Sequence, residues 1–191
     1  EALFAHTPGL KVVYPSTPYD VKGLLAAAIQ DPDPVVFLEP MRIYRAIKEE
    51  VPEEDYVIPL GKANVVREGT DMTLITWGAL VKSALQAVES IKDKVNVEVI
   101  DLRTIYPFDV ETVIASVKKT GRALVLHEAP RTGGFGAEIV AQINEKALDS
   151  IEAPVLRITG YDMVLPFANL ENEYIPSEER IIAGIHKVMD Y

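Results

Sequence analysis

The sequence predicts an α/β fold with an open, mostly parallel sheet covered by helices on both faces. Short β-branched runs alternate with stretches that repeat apolar residues at helical spacing, which is the first observation behind this. Cap and turn residues stand at the changeovers, which is the second. The third is composition: 48% hydrophobic and 25% charged residues over 191 positions suit one packed domain with a piece of another, so ordinary core burial is the frame.

The elements follow in order. Residues 10–14 (LKVVY) read as a strand, and Pro15-Ser16-Thr17-Pro18 leads into a helix through Leu24, Leu25, Ala28 and Ile29. Thr17 suits the N-cap, Pro18 the first helical position, and Asp20 the positive helix end. Residues 35–38 (VVFL) make the next strand and complete a βαβ unit with parallel strands. From 48 to 61 the acids and prolines Glu49, Glu50, Pro52, Glu53, Glu54, Asp55 and Pro59 interrupt any period, as in an exposed crossing segment. The chain therefore divides into 1–47, a linker at 48–61, and a second α/β domain at 62–191.

In that second domain, residues 63–67 and 72–76 flank a turn at Glu68-Gly69-Thr70-Asp71, and 79–92 carry Leu80, Ala84, Leu85, Val88 and Ile91 at helical spacing. Residues 97–100 are a strand, and Asp109 caps a helix that Gly121 stops. A strand at 123–126, a helix after Thr132-Gly133-Gly134-Phe135-Gly136, a strand at 155–158 and a helix opened by Ser177 complete the alternation.

Charge and composition narrow the function classes. Twenty-nine acids against nineteen bases give a net charge of -10, a field that repels a phosphate backbone and disfavours nucleic acid as a partner. The absence of cysteine removes disulfides, thiolate catalysis and cysteine zinc sites. No apolar run approaches the ~20 residues that span a bilayer, so no membrane is expected. A cytoplasmic location is expected, or the mitochondrial matrix if the source is eukaryotic. A start at Glu1 rather than Met is expected of a processed or truncated product.

Four places carry candidate chemistry. The helix end at Gln30-Asp31-Pro32-Asp33-Pro34 combines unpaired carbonyls, a negative dipole end and two acids, which suits a hard cation as readily as a solvated loop. His127-Glu128 ends a strand where open α/β sheets bind ligands, yet adjacent extended residues point to opposite faces, which favours structural roles. Gly133, Gly134 and Gly136 open a helix but lack the Lys-Ser/Thr of a phosphate loop, so close packing explains them better. His6 and the aromatic segments 106–108 and 161–167 fit interfaces or core edges.

Particular strings add a resemblance. His6-Thr7-Pro8-Gly9-Leu10-Lys11, Pro15-Ser16-Thr17-Pro18-Tyr19-Asp20 and Asp31-Pro32-Asp33-Pro34-Val35 are similar to the latter half of the pyrimidine-binding domain in beta subunits of thiamine-diphosphate-dependent 2-oxo acid dehydrogenases. Ile100-Asp101-Leu102-Arg103-Thr104, Lys119-Thr120-Gly121 and Gly133-Gly134-Phe135-Gly136-Ala137-Glu138 resemble their transketolase C-terminal-like domain. The resemblance implies oxidative decarboxylation of pyruvate or a branched-chain 2-oxo acid and acylation of a lipoyl group. Thiamine diphosphate and magnesium would be held by the complete assembly, and the family's glutamate and histidine lie upstream of Glu1. No catalytic residue is thus assigned within this chain. The resemblance also carries a potassium site to Ala28, Ile29, Asp31 and Asp33.

Implied partners are an alpha subunit, a second beta subunit and the peripheral-subunit-binding domain of the dihydrolipoyl acyltransferase. The acidic balance and the Asp190-Tyr191 end motivate the last contact. The competing readings are a non-catalytic dimerisation module and another thiamine enzyme of the transketolase family.

Overall fold

A computed structural model describes residues 1–166 and 170–191. The first unit starts with α1 (Ala2–Ala5), β1 (Lys11–Val13), α2 (Pro18–Gln30) and β2 (Val35–Phe37). Its βαβ expectation holds, with β1 and β2 parallel and Lys11 opposite Val35. Thr17 caps α2 by accepting the Asp20 N–H at 3.1 Å, and Pro18 occupies the first helical turn.

The second unit contains β3 (Asn64–Arg67), β4 (Met72–Thr76), α3 (Leu80–Ser90), β5 (Val97–Asp101), β6 (Thr104–Tyr106) and α4 (Val110–Thr120). It continues with β7 (Ala123–Pro130), α5 (Gly136–Ala147), β8 (Leu156–Gly160), α6 (Glu171–Tyr174) and α7 (Glu178–Met189). Five strands form one sheet in the order β3-β5-β4-β7-β8, parallel except for β3. Asp109 accepts the Thr112 N–H and Gly121 ends α4 at φ +70°, a left-handed conformation that glycine adopts without strain.

The sheet is buried on both faces, which accounts for the unbroken apolar strands. Leu74, Leu124 and Leu126 face α3 and α7, whereas Ile75, Ala123 and Val125 face α4 and α5. The two-residue period thus splits each strand between two separate cores.

Two details depart from the sequence reading. The turn at residues 68–71 does not join paired strands, because β3 pairs with β5 and β4 lies between β5 and β7. Gly69 is pressed onto β5, where a Cβ would come within 2.2 Å of the Glu98 nitrogen. The other departure is β6, absent from the predicted elements, which leaves the second unit and pairs antiparallel with β1. The smaller sheet, β2-β1-β6, therefore draws on both units.

The crossing segment is exposed at its acids but strapped down. Lys22 Nζ donates to the backbone oxygens of Pro52, Glu53 (3.2 Å) and Glu54 (3.0 Å). Ile58 N donates to Gly23 O at 3.1 Å, and its side chain is buried against Val13 and Leu24. A side chain at Gly23 would collide with Ile58 and Tyr56, so glycine there lets the strap cross α2.

Candidate functional site

The segments that leave β1, β4 and β5 meet between the two units. Tyr14, just after β1, packs over Gly78, just after β4, where a Cβ would stand 2.8 Å from the tyrosine ring. Ser16 Oγ donates to Asp101 Oδ2 at the end of β5, and Arg103 N donates to Asp101 Oδ1 at 3.0 Å. Arg103 Nη2 then reaches Asp20 Oδ1 of α2 at 2.6 Å. Arg103 thus holds two buried carboxyls, Asp101 through its backbone N–H and Asp20 through its guanidinium.

Burial pushes the Asp101 carboxyl up to about 7, against the pull of its Ser16 and Arg103 hydrogen bonds. A buried carboxyl beside a hydroxyl has the form of a base and a nucleophile. Ser16 is only 1% exposed, however, and both Asp101 oxygens are engaged, so the arrangement fastens the units and presents nothing to a substrate. Sequence reasoning missed this cluster. Asp20 stood out only as a helix-dipole charge, and Asp101 and Arg103 only as part of a familiar string.

His127 lies on β7, 1% exposed, with its ring stacked on Trp77 at a centroid distance of 5.4 Å and 9° between planes. Gly134 and Gly136 close over its other side: a Cβ on either would approach the imidazole to 2.7 Å. Gly134 and Gly136 therefore seat this ring, whereas Gly133, at φ +69° with open space around it, serves the turn. Burial, with the charge of Arg157 adding, pushes the imidazole down to about 4, so it is neutral at pH 7. Neither ring nitrogen has a hydrogen-bond partner among the described residues.

Glu128 points elsewhere, into a cavity of about 400 Å³ lined also by Glu1, Tyr14, Arg42, Glu171 and Tyr174. Burial pushes its carboxyl up, and likewise that of Glu1. The structure does not bring His127 and Glu128 onto one proton. His6 is exposed and lines a separate cavity of about 540 Å³ with Phe108 and Phe135. Tyr161 and Leu165 are exposed, while Phe167 lies outside the described residues.

At the end of α2, Lys11 Nζ stands 2.7 Å from Asp31 and 3.0 Å from Asp33. One ammonium engages both carboxylate side chains and balances one of their two charges, so a cation there would rest mainly on backbone oxygens. Among the described residues no cluster of three or more His, Cys, Asp or Glu is placed to hold a metal. Thiamine diphosphate fits no better: of the carboxyls that burial raises, Asp101 is spent in the fastening, and Glu1 and Glu128 oppose one another in a single cavity. No step through the cofactor is assigned to these residues.

Comparison with known proteins matches residues 61–181 to the transketolase C-terminal domain. The chain belongs to this family. Residues 1–46 match the transketolase pyrimidine binding domain. The pyruvate dehydrogenase E1 component subunit beta of Bacillus subtilis is 52% identical over 192 residues, which cover all of this chain and 59% of that protein. Its counterpart in Acholeplasma laidlawii is 54% identical over 189 residues, covering 98% of this chain and 58% of that protein. This member of the transketolase C-terminal family therefore spans less than two thirds of those relatives. A solved chain described as a split gene transketolase, inactive beta4 tetramer, superimposes with a TM-score of 0.81 at 22% identity, covering 99% of this chain and 60% of its own. That likeness concerns the fold.

Proposed function

We propose that the chain is the later part of a beta subunit from the thiamine-diphosphate-dependent, decarboxylating component of a 2-oxo acid dehydrogenase, with pyruvate as the first substrate to test. The observation that carries this reading is identity of about half over the whole chain to pyruvate dehydrogenase E1 beta subunits. In such an assembly thiamine diphosphate supplies the carbanion chemistry, and magnesium its diphosphate anchor.

The residues of this chain hold the two units together at the Asp20–Arg103–Asp101–Ser16 fastening and wall off a neutral His127. An alpha subunit and a second beta subunit complete the enzyme, and the basic peripheral-subunit-binding domain of the acyltransferase docks by charge on the acidic chain. Exposed Met41, Met163, Val164 and Leu170 are apolar surface suited to subunit contact. Potassium at the end of α2 would rest mostly on backbone oxygens of Ala28, Ile29, Asp31 and Asp33, while Lys11 engages the two aspartate side chains.

The reading is tested by reconstituting a full-length beta subunit with an alpha subunit and measuring decarboxylation of pyruvate beside branched-chain 2-oxo acids. Turnover of pyruvate with thiamine diphosphate supports it. Failure to turn over any 2-oxo acid in a properly assembled heterotetramer would sink it.

A further inference from the structure

Arg131 and Arg157 differ from the ion-pairing arginines of the fold. Arg42, Arg103 and Arg122 each have a carboxylate oxygen within 3.0 Å. Arg131 follows β7 and Arg157 lies on β8, the last strand of the larger sheet. Arg131 Nη1 donates to the backbone oxygen of Arg157 at 2.9 Å, and Arg157 Nη1 donates to that of Arg131 at 3.0 Å. These reciprocal bonds lay the two side chains head to tail, each guanidinium against the other residue's backbone and near enough for the like charges to repel.

No carboxylate among the described residues forms an ion pair with either group. The acid whose charge they feel is Asp162, and it turns both oxygens to Thr132, accepting the N–H at 2.8 Å and the hydroxyl at 2.7 Å. Burial and the charge of Arg131 both push the Arg157 guanidinium below its ordinary range. In a chain of net charge -10, two guanidinium groups fixed together with only one nearby acid are an electrostatic debt. Each uses one nitrogen in the reciprocal bonds, which leaves donors of its planar fork free for an oxyanion.

We propose that Arg131 and Arg157 form an oxyanion-binding site that takes a phosphate or carboxylate group against the two guanidinium forks. Arginine suits this better than lysine because its fork binds such groups in a bidentate manner. The same chemistry can come from a free anion or from an acidic side chain on an adjoining subunit.

Both sources are distinguished by titrating inorganic phosphate, at constant ionic strength, against the assembled full-length protein and its Arg131→Gln and Arg157→Gln variants. A saturable rise in Tm for the parent protein, missing from both variants, establishes a free anion as ligand. No phosphate response, combined with a tenfold or greater weakening of subunit association in both variants, establishes a carboxylate from the neighbouring subunit. The proposal is overturned if the variants match the parent in both readouts, or if the phosphate response survives in both, as general exclusion of the salt from the surface would produce. Arg157→Lys guards against misfolding of the glutamine variants. It keeps the charge and loses the fork, and full retention in it of whichever readout the glutamine variants lose also overturns the site.

Discussion

Arg103 Nη2 lies 2.6 Å from Asp20 Oδ1, an ion pair that binds the segment after β5 to the first turn of α2. Both side chains are largely buried, and Arg103 adopts φ +58°, the left-handed region that disfavours a side chain. The fold accepts that backbone cost and in return holds Asp101 with the Arg103 N–H and Asp20 with its guanidinium. Removing the cation leaves Asp20 charged and unpaired in the interior, so Arg103→Ala should lower stability by about 3 kcal/mol in denaturant unfolding. Arg103→Gly should lose about 1 kcal/mol less, since glycine relieves the backbone. Equal losses would show that the left-handed turn carries no strain.

Asp101 gives stability an unusual pH dependence. Its folded-state pKa, about 7, lies above the ordinary 3.8, so its favourable contribution is complete below about pH 3.8 and is lost as pH rises toward 7. Asp101→Asn keeps an acceptor for Arg103 N–H and removes the titration. Relative to that variant, the parent protein should lose stability across this window, at no more than about 1.4 kcal/mol per pH unit. A constant difference between the two proteins from pH 4 to 7 would contradict the assignment of a proton to Asp101.

The seat around His127 is tight on the glycine side. Gly136→Ala places a methyl within 2.7 Å of the imidazole and should cost about 1–3 kcal/mol. In His127→Ala the same glycine substitution should cost much less, so a double-mutant cycle should show a coupling of at least about 1 kcal/mol. Additive losses would mean that the glycines serve another purpose.

Trp77, the only tryptophan in the sequence, reports the protonation of His127. A protonated imidazole stacked on indole quenches its emission. With the imidazole pushed down to about 4, Trp77 fluorescence should stay level from neutral pH to about pH 5 and fall below it. The sign for stability agrees, because a depressed histidine loses its contribution as pH falls from about 6.5 toward 4. Quenching centred near pH 6.5 would show an ordinary, solvated histidine.

Lys22 holds the strap at three backbone oxygens. Lys22→Met keeps most of the stem and removes these bonds, and cleavage by a glutamate-specific protease at Glu53 or Glu54 should become several times faster while Tm moves little. Unchanged cleavage would place the hold on Ile58 and Gly23 alone.

Much of the architecture was legible in the sequence because local chemistry decided it. Thr17, Asp109, Gly121 and Ser177 stand at real helix ends, and the apolar strands belong to a sheet buried on both faces. What stayed hidden was non-local. The three residues of β6 beside Pro107 carry too short a pattern to announce a strand, and its partner β1 lies about ninety residues upstream. The register of Gly69 against Glu98 is equally invisible to periodicity. At the candidate site, His127 and the glycines could be named separately, but only folding showed that Gly134 and Gly136 make room for the imidazole. The fastening of Ser16, Asp20, Asp101 and Arg103 spans both units, so no single window of sequence contains it.

Cofactor binding by residues 1–191 themselves is the most direct check. In calorimetry with thiamine diphosphate and magnesium, the chain alone should give no saturable heat, whereas a full-length beta subunit assembled with its alpha partner should bind and decarboxylate pyruvate. Tight binding and turnover by residues 1–191 alone would contradict the assignment of the reactive centre to groups outside this chain.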